Sequence, residues 1–308
     1  MTNSDSDLII LGGGPAGLTA AQYGARANLR VLVIEQLAPG GQALNIDKLE
    51  NYPGIAPEKT GYEFAGDLHR QAEAFGAAFL SDSVLSLRRE GGVFLAGLGS
   101  GEERRAPAVI IATGTKYRTL GIPGESEFTG RGVSYCAVCD GPFFRERKIF
   151  VVGGGDSACG EAQYLSRLSP RIVLIHRRDR FRAQKSLAER VLHNPRIEVR
   201  FNTRMLEIRG EAAVSGVKLE GKAVYEEDAA AVFIFTGALP QAGFAAGLGL
   251  ETDEGGFLVT DQRMATAIPG LFAAGDVRAT PFRQVVVAAG EGAVAAHSAA
   301  ANLVEMGA

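Results

Sequence analysis

The chain has few cysteines, three among 308 residues, which is too few for a framework of disulfides. Small secreted domains depend on such frameworks, whereas cytosolic proteins keep their thiols reduced. The first residues, 2–7, are polar and acidic, and they lack the basic start and the apolar stretch of a secretory signal. The sequence therefore predicts a cytoplasmic protein.

Two other absences bear on the partners of the protein. The net charge is −3 and no long basic run occurs, which argues against nucleic acid as a main partner. No apolar stretch reaches membrane-spanning length, because the alanine-rich segment near the end is interrupted by Glu291 and His297. Neither nucleic acid nor a membrane is therefore expected as a partner.

Glycine, by contrast, is abundant, with 40 residues, and its placement carries the first functional signal. A predicted buried strand, residues 7–11, runs into the loop Gly12–Gly17, which reads Gly-Gly-Gly-Pro-Ala-Gly. A predicted helix, 18–27, and a second strand, 31–34, follow, and Glu35 ends that strand. This order of strand, glycine loop, helix, strand and acid is typical of a dinucleotide site.

Each residue of that first motif has a physical task. Gly12 allows the tight turn, Gly14 lets a pyrophosphate approach the backbone, and Gly17 lets helix and strand pack closely. Glu35 would bind the ribose hydroxyls of the adenosine. The alternative is a glycine-rich turn in an ordinary α/β domain.

The same pattern recurs in the middle of the chain. A predicted strand, 149–152, leads into a second glycine loop, Gly153–Ala158, and a helix and the strand 172–175 follow. His176 stands where the first motif has its acid. An internal repeat of this kind predicts two similar nucleotide-binding modules.

Arginines replace the missing acid in the second motif. Arg177 and Arg178 follow His176 directly, and Arg182 lies close by. A carboxylate would repel a 2′-phosphate, whereas guanidinium groups bind it in bidentate fashion. The second dinucleotide is therefore predicted to be NADPH, the alternative being a solvated basic turn.

A Cys-x-x-Cys motif lies just before the second glycine loop, in Cys136-Ala137-Val138-Cys139-Asp140-Gly141. Two thiols at this spacing can close a disulfide ring, form half of a zinc site, or stand together by coincidence. Zinc needs about four ligands, and the only other cysteine, Cys159, is predicted to be a small buried residue. At a helix start the pair would favour the thiolate, and Asp140 could supply protons to a leaving thiolate.

The last part of the chain returns to the pattern of the first. A predicted strand ending in Gly275-Asp276 precedes a helix expected over 284–304. Asp276 is placed to bind sugar or ribitol hydroxyls near a pyrophosphate, or else to serve as a helix N-cap. The N–H groups at the start of the following helix suit an electron-rich ring oxygen, as in a reduced isoalloxazine.

In this order the motifs resemble the bacterial low-molecular-weight thioredoxin reductases, a family of flavoprotein disulfide reductases, over nearly the whole chain. The most specific of them is the Cys136–Gly141 stretch between two nucleotide loops. The further motifs, besides the two glycine loops, are Gly40-Gly41-Gln42, Glu50-Asn51-Tyr52-Pro53-Gly54, Ala112-Thr113-Gly114, His176-Arg177-Arg178-Asp179, Phe181-Arg182-Ala183, Gly275-Asp276-Val277-Arg278 and Arg283-Gln284-Val285.

The resemblance implies an α/β fold with two Rossmann-like, three-layer ββα nucleotide-binding domains. A discontinuous FAD domain would comprise residues 1–116 and 245–308, and an inserted NADPH domain, 117–244, would carry the Cys136–Cys139 pair. The implied reaction passes a hydride from NADPH to FAD, then electrons to the disulfide and on to thioredoxin. A homodimer and a rotation of the two domains between the half-reactions are also implied.

The resemblance also implies residue roles. Cys139 would be the flavin-proximal sulfur, Cys136 the exchange thiol and Asp140 the general acid, and no metal is expected. The residues expected to bind FAD are Gly12, Gly14, Pro15, Ala16, Gly17, Glu35, Gln36, Gly41, Gln42, Asn51, Ala112, Thr113, Gly114, Gly275, Asp276, Arg283, Gln284 and Val285. Those expected to bind NADPH are Gly153, Gly155, Asp156, Ser157, Ala158, His176, Arg177, Arg178 and Arg182.

The sequence departs from the family pattern at a few loop positions. These are Gly160, residues 43–45 after Gln42, and Gln241-Ala242 after Pro240. Other readings are a reductase serving a peroxiredoxin- or glutaredoxin-like partner, a dithiol oxidase, and a flavin-bound redox sensor. The first is disfavoured because peroxide-linked relatives carry an extra thioredoxin-like region ahead of the flavin loop. The basic residues after His176 disfavour an oxidase that ignores NADPH.

Overall fold

The structure, a computed structural model, describes residues 6–46, 49, 51–55 and 59–305. Glu50 of the predicted loop motif and the first five residues lie outside this part of the chain. The chain divides into two compact units. The first comprises the residues up to Lys116 together with those from Leu239 onward, and the second comprises Tyr117–Ala238.

The described residues form eighteen β-strands and six α-helices. The strands are β1 (Leu8–Leu11), β2 (Val31–Glu35), β3 (Ala78–Ser81), β4 (Val84–Glu90), β5 (Val93–Leu98), β6 (Glu103–Ala106), β7 (Ala108–Ile111), β8 (Thr115–Tyr117), β9 (Val133–Ser134), β10 (Ile149–Gly153), β11 (Ile172–Ile175), β12 (Ile197–Arg200), β13 (Arg204–Gly210), β14 (Val214–Glu220), β15 (Val224–Asp228), β16 (Ala231–Phe235), β17 (Ala238–Pro240) and β18 (Leu271–Ala273). The helices are α1 (Pro15–Arg26), α2 (Gly61–Ala74), α3 (Ala137–Asp140), α4 (Asp156–Leu165), α5 (Lys185–Leu192) and α6 (Val285–Glu305).

The first unit is built on a five-stranded parallel sheet in the order β18-β7-β1-β2-β3. Every residue of β1 and β7 is buried, as expected for central parallel strands covered on both faces. The predicted strands and helices are confirmed to within a few residues. Helix α1 starts at Pro15, earlier than predicted, because proline suits the first helical position and Gly14 before it is extended.

The second unit repeats this arrangement, which confirms the predicted α/β fold with two Rossmann-like modules. Its five-stranded parallel sheet has the order β12-β11-β10-β16-β9, with the strand before the glycine loop, β10, again at the centre. Each unit adds a three-stranded antiparallel sheet, β4-β5-β6 in the first and β13-β14-β15 in the second.

The two units are joined at two chain crossings. The first crossing lies between residues 116 and 117 and the second between 238 and 239, whereas the domains implied by the resemblance change after residues 116 and 244. The segment after β17 belongs with the first unit because Gln241 is tied to residues following β7. Its N–H donates to the Gly114 carbonyl at 3.0 Å, and its own carbonyl accepts from Thr113 Oγ1 at 2.5 Å.

Among the described residues, no helix combines the length with the apolar character that a membrane crossing requires, not even the 21-residue α6.

Candidate active site

The glycine loop of the first unit has the geometry that the sequence predicts for a phosphate cradle. Gly12 has φ +102°, and a Cβ there would lie 2.5 Å from the Ala112 carbonyl oxygen. A Cβ on Gly17 would lie 1.9 Å from the Gly12 oxygen, so helix and strand meet at van der Waals contact. Gly14, in contrast, faces open space with nothing within 4 Å of its missing Cβ, which leaves room for a ligand at the backbone.

Two other segments close around this loop. Glu35 Oε2 at the end of β2 accepts the Gly13 N–H at 2.6 Å, so the acid is anchored beside the cradle. The Gly40-Gly41 turn packs onto the cradle, since the Gly40 N–H donates to the Gly13 carbonyl at 2.7 Å and a Cβ on Gly41 would lie 3.2 Å from Gly14 Cα. The residues alone do not say that this turn binds a cofactor; the structure places it against the first glycine loop.

The C-terminal return contributes a third set of groups to the first unit. Gly275 and Asp276 form a 3-10 turn after β18, and the Arg283 guanidinium lies 3.9 Å from the centre of the Phe257 ring. Asn51 Nδ2 donates to Gln284 Oε1 at 3.0 Å, so the loop around Asn51 reaches the start of α6. Gln36 is exposed in the turn after β2.

Asp276 is not a helix N-cap, which was the alternative role considered for it. It lies inside the 3-10 turn, and α6 begins only at Val285. The side chain is half-buried, and burial raises its pKa to about 6, with Glu291 adding to the rise and Arg283 opposing it. Ionisation of the Asp276 carboxyl group in this half-buried position therefore lowers the stability of the folded protein.

This cost predicts a pH-dependent effect of Asp276→Asn on stability. The folded pKa, about 6, exceeds the ordinary value of 3.8, so ionisation of this group lowers the free energy of unfolding as pH rises from about 4 to 6. At pH 7 the asparagine variant of the flavin-free protein should be more stable by up to about 3 kcal/mol. Urea unfolding at pH 4, 5 and 7 measures the difference, which should shrink toward pH 4. A difference that stays constant with pH would refute the burial argument.

The glycine loop of the second unit, like the first, has one glycine in close contact with its neighbours and another that faces open space. A Cβ on Gly153 would lie 2.6 Å from that of Ala158, whereas Gly155 has nothing within 4 Å of its missing Cβ. Helix α4 starts directly after Gly155, and Asp156 Oδ1 accepts the Gln184 N–H at 2.7 Å. Ser157, next in the helix, is exposed. The loop therefore presents backbone N–H groups at a helix start to open space, which suits an anion.

The position equivalent to Glu35 is filled by an uncharged group. The His176 ring is buried against Gly154, whose Cβ would lie 2.3 Å from it. Burial and the neighbouring charges of Arg182, Arg178 and Arg177 lower the pKa of His176, so the ring is neutral near pH 7. The side chains of the three arginines are exposed, and none forms an ion pair with an acidic group in the described part of the chain. Their positive charge is thus open to an anionic ligand.

The two cysteines of the Cys-x-x-Cys motif form a disulfide, with Cα atoms 5.3 Å apart. Cys136 is the N-cap of the short helix α3, and the Cys139 N–H points at Cys136 Sγ with 3.3 Å between N and S. The Cys136 N–H is held by Ser134 Oγ at 3.1 Å. Asp140 lies in α3 and is half-buried like both cysteines. In the reduced protein, the Cys139 N–H aimed at this sulfur favours its thiolate.

Cys159 is confirmed as a buried, unpaired thiol, and this predicts how the three cysteines react. Burial raises its pKa to about 11, so it holds almost no thiolate at neutral pH. After reduction and removal of the reductant, the native protein should titrate two thiols with an aromatic disulfide reagent. A third should appear only on denaturation, and a Cys159→Ala variant should lack it. Rapid reaction of three thiols in the native protein would contradict the burial of Cys159.

Two polar groups near these sites escaped the sequence interpretation. Glu125 is buried, and its carboxylate accepts the Tyr135 hydroxyl at 2.9 Å and the Leu120 and Gly121 N–H groups at 2.8 Å, so it fixes the residue before Cys136. Glu291, which the sequence shows only as an interruption of an apolar segment, accepts the Gly275 N–H. The position of Glu291, a single acidic residue within an apolar segment, was the only sequence signal that could have indicated a structural role for it.

Among the residues that the structure describes, no group of three or more His, Cys, Asp or Glu side chains is arranged to hold a metal ion.

Fold and site together define a class of protein, an oxidoreductase that combines two dinucleotide cradles with a redox-active disulfide. The sequence model of the pyridine nucleotide-disulphide oxidoreductases matches residues 6–292. The chain belongs to that family, and within it to the low-molecular-weight thioredoxin reductases. Membership implies a flavin and a pyridine nucleotide as cofactors, and it confirms the resemblance that the motifs indicated.

Three relatives carry this assignment. The chain is 52% identical to the thioredoxin reductase of Treponema pallidum over 97% of its own length and 98% of the relative's. It is 42% identical to that of Listeria monocytogenes, over 95% and 92% of the two chains. The crystal structure of thioredoxin reductase from Streptococcus pyogenes has a TM-score of 0.92 to this chain at 42% identity, covering 97% and 98% of the two chains.

Proposed function

We propose that this protein is a thioredoxin-disulfide reductase that uses NADPH and FAD. The observation that carries the proposal is the Cys136–Cys139 disulfide at the start of α3. It lies in a unit that also holds a glycine loop with three exposed arginines nearby. The name shared by the relatives supports thioredoxin as the partner.

The residues of the first unit fit FAD. The open space at Gly14 admits a pyrophosphate beside the start of α1, and Glu35, anchored at Gly13, is placed for ribose hydroxyls. Asp276, whose neighbour Gly275 packs against Ala16 of the same cradle, suits the ribitol hydroxyls. A flavin held there supplies the one chemistry that side chains lack, accepting a hydride and passing two electrons to sulfur.

The residues of the second unit fit NADPH. Gly155 and the start of α4 offer the phosphate cradle. Neutral His176 replaces an acid that would repel a 2′-phosphate, and the three arginines after it offer planar donors for that phosphate.

The dithiol carries reducing equivalents to the partner by exchange. In the reduced protein, the Cys136 thiolate attacks the partner disulfide, forming a mixed disulfide and releasing one partner thiolate. Cys139 then attacks Cys136, which restores the intramolecular disulfide and releases the second partner thiolate. Asp140, which follows Cys139 directly in α3, would hold a proton and deliver it to a leaving thiolate. Two electrons and two protons leave with the partner, and NADPH and the medium replace them.

Steady-state turnover tests the choice of partner and excludes the rival readings. When the enzyme is present in catalytic amounts, oxidised thioredoxin should support many turnovers of NADPH oxidation. With NADH as the donor, the number of turnovers should be far smaller. Turnover only with a peroxiredoxin- or glutaredoxin-like protein would reassign the partner. Oxygen consumption driven by a dithiol in the absence of NADPH would favour an oxidase, and a single stoichiometric reduction would favour a sensor.

Three further features belong to the proposal on the strength of the resemblance. The protein is expected to be a homodimer, to work in the cytoplasm, and to rotate its two domains between the half-reactions. The assignment of the first unit to FAD and of the second to NADPH is likewise part of the proposal.

A further inference from the structure

Glu291 makes a buried pair of contacts that no step of the proposed reaction uses. It lies in the middle of α6 and is 9% exposed. Its Oε2 accepts the Gly275 N–H at 2.8 Å, and its Oε1 forms an ion pair with the Arg278 guanidinium. A buried carboxylate is costly unless it is both paired and hydrogen-bonded, and this one is both.

Arg278 completes the arrangement from the other side of the turn. Its side chain is 13% exposed, and its Nε donates to Thr260 Oγ1 at 2.9 Å. Its backbone N–H donates to the Gly275 carbonyl at 3.1 Å. Both polar groups of the Gly275 backbone are therefore held, the N–H by Glu291 and the carbonyl by Arg278.

The turn held in this way is tightly constrained. Gly275 has φ +76°, a left-handed conformation that other residues rarely adopt. A Cβ on Gly275 would lie 2.9 Å from that of Ala16 at the start of α1. A Cβ on Gly292, the residue after Glu291, would lie 2.1 Å from the Ala16 carbonyl oxygen. The turn and α6 thus both press on the first residues of the phosphate cradle.

The groups that face Asp276 also come from these elements. They are Glu291 of α6 and Arg283 of the loop before it. The Gly275 N–H belongs to the peptide between Ala274 and Gly275, and the Gly275 carbonyl belongs to the peptide that leads into Asp276. Glu291 and Arg278 therefore hold the peptides on both sides of Gly275. The ion pair with Arg278 holds the Glu291 acceptor in place.

We propose that Glu291, supported by Arg278, is a positioning residue that holds the Gly275–Asp276 turn in the conformation that binds FAD. The inference rests on the proposed FAD site of the first unit. Glu291 acts through the backbone of Gly275, so the acceptor oxygen matters for FAD and the charge matters for the fold.

Paired substitutions separate the acceptor from the charge. Glu291→Gln with Arg278→Met removes both charges but keeps an oxygen that can accept the Gly275 N–H. Glu291→Leu with Arg278→Met removes both charges and the acceptor at nearly the same side-chain volume. Replacing a buried ion pair by apolar groups costs little, whereas breaking one partner costs much, so both double variants should fold. If the leucine double variant fails to fold, Glu291→Ala with Arg278→Met also removes the acceptor and replaces it in the comparison.

The readout is the rate at which purified holoprotein releases FAD on dilution, followed by the rise in free-flavin fluorescence, beside thermal unfolding of each variant. An unsatisfied buried N–H predicts that the leucine double variant releases FAD about tenfold or more faster than the glutamine one. The leucine double variant should also unfold at a slightly lower temperature, because the same unsatisfied N–H costs stability, and the control variant below separates that loss from FAD release. Equal release rates would overturn the positioning role, even with FAD bound by the wild type. A wild-type protein that carries no FAD would instead overturn the proposed function.

A control variant shows that loss of an ion pair is not by itself the cause. Glu227 of the second unit pairs with Lys148 and Arg200, each at 2.6 Å. Glu227→Gln should lower the unfolding temperature and leave the rate of FAD release unchanged. A faster release from this control, equal to that of the leucine double variant, would also overturn the positioning role.

Discussion

Replacing Cys136 with serine is expected to leave NADPH-dependent bleaching of the flavin intact and to abolish thioredoxin reduction. The residues proposed to hold FAD and NADPH do not include Cys136, so hydride transfer needs nothing from its sulfur. Exchange with a partner disulfide requires a thiolate at this position, and serine provides none. Turnover with thioredoxin should fall about a thousandfold or more, as is usual when a catalytic nucleophile is removed. Stopped-flow absorbance and steady-state turnover measure the two steps separately.

Two further variants show which of the two cysteines is the exchange thiol. Cys139→Ser retains the exchange thiol and should trap thioredoxin as a stable mixed disulfide through Cys136, whereas Cys136→Ser should trap none. Cys159→Ser serves as the matched control, since this thiol is buried away from exchange, and it should behave as wild type. If Cys136→Ser retained turnover with thioredoxin, this would contradict the assignment of Cys136 as the exchange thiol.

Removing the three arginines of the second unit should switch off the preference for NADPH. Arg177, Arg178 and Arg182 are exposed, lie around a neutral His176, and form no ion pair with acidic groups in the described residues. If they bind a 2′-phosphate, their joint replacement by alanine removes several charge-assisted hydrogen bonds. The KM for NADPH should rise about a hundredfold or more, and that for NADH should change little.

Arg171 offers a control for general loss of positive charge. It is exposed in the same unit and precedes β11. Arg171→Ala should leave the KM for both nucleotides unchanged. Equal increases for NADPH and NADH in the triple variant would contradict binding of the 2′-phosphate, because that group is the only difference between the two donors.

Much of the fold was predictable because its signals are local. The buried runs of β1 and β10, each followed by a glycine loop, specify strand, turn and helix within about thirty residues. The repeat of that unit then predicts two similar sheets. The second chain crossing was less predictable, since it depends on hydrogen bonds that Gln241 makes with Thr113 and Gly114, far away in sequence.

The site was predictable to the extent that its chemistry lies in short motifs. The glycine loops and the cysteine pair can be recognised from the sequence alone, and the structure gives them the expected geometry. The contact of Asn51 with Gln284, however, joins residues that are far apart in sequence. Glu291 and Glu125 were missed for the same reason, since a buried carboxylate acquires its meaning from the distant N–H groups that it accepts.

The central claim is that NADPH reduces a bound flavin, that the flavin reduces the Cys136–Cys139 disulfide, and that the resulting dithiol reduces thioredoxin. Anaerobic titration of the purified yellow protein with NADPH and, separately, with NADH, followed by oxidised thioredoxin, tests it most directly. We predict bleaching of the flavin band by NADPH and prompt recovery of the yellow colour on adding thioredoxin disulfide. A colourless protein, or a bleached flavin that thioredoxin disulfide leaves unchanged, would contradict the claim.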